Sequence, residues 1–159
     1  MDEQKKLEQA KETFATVCSV LDRMEVHYDK REEDLRALFS ARGEDLPLDI
    51  SIKVDVERQV VLLVSAIPFS IQEDRRLELA VAISAVNYLI IDGCFDYDIK
   101  TGDVWFRFTN SFFDSKLDGE VFEYMLHLTF SIVDKYNDKF LMLAKGMISL
   151  DKFLATLND

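Results

Sequence analysis

The feature that most constrains the fold is the stretch over residues 80–108, AVAISAVNYLIIDGCFDYDIKTGDVWFRF. Apolar residues recur at helical spacing up to Ile91, and Gly93 follows as a helix stop, because glycine readily adopts the left-handed conformation. Two segments that alternate apolar and polar residues then flank a turn at residues 100–102, which predicts a β-hairpin. A helix and a hairpin each have an apolar face to bury, so this stretch predicts an α+β domain.

The same periodicities predict the remaining elements. A first helix is expected over residues 2–24, and strands over residues 35–41, 48–55 and 59–67. Residues 35–41 also fit one helical turn, so strand and helix both remain open there. A capping box of Ser70 and Glu73 is expected to begin the second helix. The third helix is predicted to begin near Asp118 and to end before Gly146, and Ser149 to cap a short final helix. The resulting order is α-β-β-β-α-β-β-α-α.

The predicted strand at residues 59–67, QVVLLVSAI, is almost entirely apolar. A strand with one solvated face alternates apolar and polar residues. This pattern therefore indicates a central strand that is covered on both faces or that lies at an interface.

Length and charge restrict the class of protein. The chain has 159 residues, which suits a single domain over residues 1–159, and its net charge is −11. Because negative charge repels phosphate backbones and anionic lipids, we expect neither nucleic acid nor membrane as a partner. No apolar run is long enough to cross a bilayer, and the first residues contain no apolar signal core, so a cytoplasmic location is expected.

The chain lacks a recognisable reaction centre. His27 and His127 have no neighbouring ligands at metal-binding spacing, and no glycine-rich phosphate loop is present. Asp96 and Asp98 have the spacing that begins a calcium loop, but Lys100 occupies the next ligand position. We therefore expect no enzyme, no cofactor and no metal. The cysteines Cys18 and Cys94 are expected to be reduced, although sequence alone leaves a disulfide open.

Apolar residues exceed what one helix face requires. The second helix has two stripes, one of Leu77, Ala80, Val81, Ser84 and Tyr88, and one of Leu79, Ile83, Val86 and Ile90. Either both are buried within a monomer, or one forms a homodimer or docking surface. Trp105 and Arg107 are residue types that anchor protein interfaces, although core or edge packing would also explain the aromatic residues here. The predicted interaction surface comprises Leu79, Ile83, Val86, Ile90, Trp105, Arg107, Phe122 and Met125.

Several short motifs resemble the YbjN-like family of bacterial proteins, which are described as sensory transduction regulators. The motifs are the tripeptide at residues 67–69, Asn87–Tyr88, the glycine and aspartates of residues 93–98, the aromatic strand at residues 105–108, and residues 134–140. The family fold is similar to that of class I type III secretion chaperones, which are acidic dimers that hold client polypeptides. The resemblance implies a five-stranded antiparallel sheet packed by helices, a homodimer, and no catalytic residues.

Two functions follow as expectations. The first is a non-enzymatic, chaperone-like or regulatory homodimer that binds a polypeptide or a signalling partner, with strand addition possible at a sheet edge. The alternative is a sensor of a small ligand, with a pocket between sheet and helices lined by residues such as Tyr88, Phe95 and Trp105.

Overall fold

The computed structural model describes residues 2–158. Its elements are α1 (Glu3–Arg23), β1 (Asp29–Arg31), β2 (Arg36–Arg42), β3 (Pro47–Asp55), β4 (Val60–Ala66), α2 (Arg76–Leu89), β5 (Cys94–Asp98), β6 (Asp103–Ser111), α3 (Gly119–Ala144) and α4 (Leu150–Ala155). Single 3-10 turns at Glu73–Arg75 and Thr156–Asn158 precede α2 and follow α4. All strand pairs are antiparallel, in the order β1-β2-β3-β4-β6-β5. The predicted α+β class is confirmed.

The sheet has six strands, so the predicted count of five is wrong. The additional strand, β1, consists of Asp29–Arg31, whose three polar residues are all exposed. It pairs only with the first three residues of β2. Such a short polar segment has no apolar alternation to mark it, and backbone pairing with β2 is what makes it a strand. The strand alternative for residues 35–41 is confirmed, because β2 occupies Arg36–Arg42.

The beginning of α2 differs from the predicted capping box. The Ser70 hydroxyl donates a hydrogen bond to Asp103 Oδ1 at 2.6 Å, and so it holds the hairpin instead of capping a helix. A 3-10 turn intervenes, and α2 begins at Arg76. The Arg76 guanidinium donates to the backbone oxygens of Ile71, Lys100 and Thr101, which ties the start of α2 to the β5–β6 turn.

The predicted starts of the other helices agree more closely with the structure. Asp118 accepts a hydrogen bond from the Glu120 amide at the start of α3, and Ser149 accepts one from the Lys152 amide at the start of α4. Gly93 has the left-handed backbone expected of it, with φ of +78°. However, α2 has already ended at Leu89, so Gly93 shapes the loop into β5 instead of terminating the helix.

One face of the sheet packs against the helices and forms the core. Alternate residues of β3, β4 and β6 are buried there, and Phe95 from β5 packs edge-on against Phe106 and Phe140, at centroid distances of 5.2 and 5.1 Å. The α2 residue Asn87 also reaches β5. Its side-chain amide donates to the Phe95 carbonyl at 2.9 Å, and its side-chain oxygen accepts from the Phe95 amide at 2.8 Å.

The opposite face of the sheet carries no helix. Its residues are the other alternate positions of each strand, including Leu38, Leu62, Val64 and Trp105, which are only partly buried and are not packed against the core. We call this surface the open face. The apolar strand predicted at residues 59–67 is therefore central, as β4 at Val60–Ala66, but only one of its two faces is covered within the chain.

Candidate interaction surfaces

Helix α2 has one covered side and one uncovered side. Its inner stripe, which we define as Leu79, Ala82, Ile83 and Val86, is buried, with at most 4 % of any residue exposed. Its outer stripe consists of Leu77, Ala80, Val81, Ser84 and Tyr88. Leu77 is 76 % exposed and Tyr88 is 90 % exposed. Apolar side chains of this size and exposure on one helix are characteristic of an interaction site.

The outer stripe forms one wall of a groove of about 940 Å³. The opposite wall comes from the C-terminal end of the chain, through Leu154, Leu157 and Asn158. No charged residue occurs between positions 79 and 91, although the chain as a whole carries a net charge of −11. The groove is therefore apolar and almost uncharged on a strongly acidic protein.

Most of the predicted interaction surface is covered within the chain. Five of its eight residues are buried in the monomer core and are unavailable to a partner: Leu79, Ile83, Val86, Phe122 and Met125. These side chains are the ones that fill the space between α2, α3 and the sheet. The presence of Ser84 and Tyr88 in the other stripe is the signal that could have identified it as the outer one.

The remaining three predicted residues lie at the surface. Ile90 is partly buried and caps the end of α2, while Trp105 and Arg107 project from β6 onto the open face. Arg107 pairs with Asp96 of β5 through both carboxylate oxygens, and Trp105 Nε1 donates to Asp96 Oδ2 at 3.1 Å. The Arg107 hydrogen bonds lower the pKa of the Asp96 carboxyl, so that the pair remains ionised. Whether these three residues contact a partner stays a prediction.

Cys94 adjoins this ion pair. Its Sγ lies 3.4 Å from an Arg107 nitrogen and 3.5 Å from Asp96 Oδ1, and partial burial raises the pKa of the thiol. Cys18 is buried on α1, beneath the other face of the sheet, and both cysteines are free. The sheet separates the two thiols, so a disulfide between them is not formed.

The residues predicted to line a small-ligand pocket do not line a common cavity. Tyr88 is exposed on α2, Phe95 is buried in the core, and Trp105 lies on the open face. A cleft of about 1030 Å³ lies instead near the start of α1, as an open groove lined chiefly by charged side chains of both signs. Within residues 2–158, no group of three His, Cys, Asp or Glu side chains is arranged to hold a metal ion.

Comparisons with known proteins identify the fold. No protein-family profile matches the chain, and no curated protein matches it. The crystal structure of YbjN from E. coli, described as a candidate transcription regulator, superposes with a TM-score of 0.56 at 13% identity, over 77% of this chain and 86% of that one.

Two further solved structures are also similar. The ExsC–ExsE complex gives a TM-score of 0.55 at 16% identity, covering 79% of this chain and 90% of that one. The HopA1–SchA chaperone–effector complex gives 0.50 at 12% identity, covering 78% and 92%. No helix within residues 2–158 is both long and apolar enough to span a bilayer. The predicted resemblance is confirmed for the fold: this chain has the architecture shared by YbjN and type III secretion chaperones.

Proposed function

We propose that this protein is a non-enzymatic interaction module, chaperone-like or regulatory, that forms a homodimer and binds a polypeptide or signalling partner. The proposal takes residues 1–159 as a single domain that acts in the cytoplasm. The observation that carries it is the pair of separate uncovered surfaces, the outer stripe of α2 and the open face of the sheet. One surface suits a second copy of the chain, and the other remains available to a different partner.

The outer stripe suits self-association because of its charge. Two copies of a chain with a net charge of −11 repel each other, and charged side chains at the surface they share would add close-range repulsion and a desolvation cost. The outer stripe is uncharged and adds neither. An isologous dimer places the same stripe of each copy against that of the other, so that Tyr88 and Leu77 become buried on both sides.

The sheet suits a polypeptide partner. Its central strand β4 presents Leu62 and Val64 on the open face, and β1 covers only the first three residues of β2. The outer edge of residues 39–42 therefore has no partner strand among the described residues, and an extended segment can add there through backbone hydrogen bonds. The chaperone–effector complexes of similar fold support this proposal by analogy.

The dimer is tested by sedimentation velocity on the wild type and on Tyr88→Glu. We expect the wild type to sediment as a dimer and the variant as a monomer, because the dimer would bury two carboxylates without partners. The matched control is Ile99→Glu, which adds the same charge at an exposed apolar residue in the β5–β6 turn. A wild-type monomer, or equal effects of both variants, would overturn the assignment of the dimer to α2.

Partner binding is tested by native mass spectrometry of the protein purified gently from its own host. We expect a dimer that carries a substoichiometric polypeptide. A uniform adduct of small mass would contradict the proposal and favour a ligand sensor.

A further inference from the structure

Three cations lie side by side on the open face of the sheet. The register places Arg31 of β1 opposite Arg36 of β2, and Arg36 opposite Lys53 of β3. Residues that are directly opposite on adjacent antiparallel strands share a face and lie close together. We call Arg31, Arg36 and Lys53 the basic row.

The basic row is only partly neutralised within the chain. Arg31 pairs with Asp29 of its own strand, with Nε 2.9 Å from the carboxylate. Arg36 and Lys53 form no ion pair with any residue of 2–158. The nearest carboxylate to Lys53 along the strand, that of Asp55, is bound by the backbone amide and side chain of Arg58.

Arg36 also has a buried donor without an acceptor. Its Nε is shielded from solvent and makes no hydrogen bond to a described residue. A buried donor left unpaired, like a set of like charges directly opposite one another, costs stability. An anionic group bound beside Arg36 and Lys53 would relieve the repulsion between these like charges.

Apolar side chains adjoin the basic row on the same face. Leu62 of β4 lies opposite Lys53, and Leu38 and Val64 flank Ser51 in the next row of the sheet. All three are only partly buried and lie outside the core. Adjacent strands are about 5 Å apart, so the three cations span about 10 Å, the reach of about three extended residues.

We propose that the basic row and its apolar neighbours bind an extended segment of the partner polypeptide that carries two acidic residues and then aliphatic residues at every second position, so that all of them share one face. This proposal rests on the proposed function and names the chemistry of its partner. Two carboxylates of the segment, two residues apart, pair with Arg36 and Lys53. The aliphatic side chains at the next alternate positions face the sheet as well and lie on Leu38, Leu62 and Val64.

The same cations could attract nucleic acid, but the rest of the protein opposes this. A nucleic acid carries a phosphate at every nucleotide, and beyond the three cations it would meet a protein with a net charge of −11. Carboxylates also lie beside the basic row, Asp29 next to Arg31 on β1 and Asp55 next to Lys53 on β3. A short acidic segment with apolar residues fits this restricted site better than a continuous polyanion.

The test is fluorescence anisotropy of the full-length protein with a labelled peptide that carries two glutamates and then two leucines at every second position of a glycine–serine background. We expect the double variant Arg36→Gln with Lys53→Gln to weaken binding by more than about tenfold. The matched control, Lys145→Gln with Lys152→Gln, removes two exposed cations at the α3–α4 end, outside the row, and should change affinity by less than about threefold. A peptide with glutamine in place of each glutamate should not bind.

A charge-retaining variant separates the loss of binding from misfolding. Arg36→Lys combined with Lys53→Arg retains both charges, so it should restore binding, whereas a merely misfolded variant would not be rescued in this way. Equal loss in the control double variant would overturn the proposal. So would tighter binding of a labelled oligothymidine through the same row.

A failure of this inference is distinguishable from a failure of the proposed function. If a polypeptide copurifies with the protein but its binding is unaffected by Arg36→Gln with Lys53→Gln, the chemistry inferred here is wrong and the proposed function stands. If no polypeptide copurifies but the acidic peptide binds through the row, the proposed function fails and the assignment of the site is supported.

Discussion

The two stripes of α2 are similar in composition and differ in what lies against them. The inner stripe meets the sheet and α3, and Leu79 is fully buried there, while Leu77 of the outer stripe is 76 % exposed. Hydrophobicity does not explain this difference in exposure, because both residues are leucines within the same turn of one helix. The inner stripe is buried by folding, whereas the outer stripe stays uncovered by the rest of residues 2–158.

The largest effect is expected from truncating the inner stripe. In the Tyr88→Glu background, which we expect to be monomeric, Leu79→Ala should lower the free energy of unfolding by about 2–5 kcal/mol, because it leaves a cavity in the core. Leu77→Ala in the same background should change it by less than about 0.5 kcal/mol. Urea unfolding followed by circular dichroism measures both, and equal losses would contradict the distinction between the stripes.

A polar anchor of the same helix should have the next largest effect. Arg76→Met removes three hydrogen bonds to the backbone oxygens of Ile71, Lys100 and Thr101. We expect a loss of about 2 kcal/mol in unfolding free energy, because these carbonyls then lack a charged donor. Arg58→Met, at a side chain that is 79 % exposed, is the control and should have almost no effect. If both variants lose the same amount, the inner stripe alone holds α2 in place.

The outer stripe should affect association and leave folding unchanged. Leu77→Ala in the otherwise wild-type chain should raise the dimer dissociation constant by about tenfold, which corresponds to about 1.4 kcal/mol. Dilution experiments by analytical ultracentrifugation measure this constant. Thr109→Ala, at an exposed position of β6, is the control. An unchanged dissociation constant for Leu77→Ala would place the dimer interface elsewhere.

The substitution Asp96→Asn on the open face should have the smallest effect, a small loss in the free energy of unfolding. Because Arg107 lowers the pKa of Asp96 in the folded state, the ion pair stabilises the fold above the ordinary aspartate pKa of about 3.9, and this contribution is lost as the pH falls through the lower folded value. Both side chains remain partly exposed, so we expect a loss of at most about 1 kcal/mol near neutral pH. As the pH falls below the lowered folded-state pKa of Asp96, the wild type and the variant should converge. Chemical unfolding at neutral pH and across the acidic range tests this, and a difference that grows in acid would contradict it.

Local signals in the sequence predict most of the elements of this fold. Asp118 and Ser149 cap helices as expected, because capping depends on residues within one turn. The three residues of β1 carry no such signal, since their strand exists only through pairing with β2. Ser70 was expected to cap α2 because the pattern fits, but its hydroxyl is taken by Asp103, which is distant in sequence.

The candidate surfaces are harder to predict for the same reason. Periodicity shows that α2 has two apolar stripes, but which one is covered depends on where α3 and the sheet lie. The apolar character of β4 correctly indicates a central strand, yet it does not show that one face is left uncovered. The basic row depends on the register of β1 with β2, and so it is invisible until β1 is known.

The contact between Asn87 and β5 has a further consequence, for the growth of the sheet. β5 is an outer strand, and a strand of that kind invites pairing with another chain, which is how sheets extend into fibrils. The Asn87 side chain already occupies both the amide and the carbonyl of Phe95, as a neighbouring strand would. An arriving strand finds these two positions taken, so we expect Asn87 to hinder growth of the sheet along this edge.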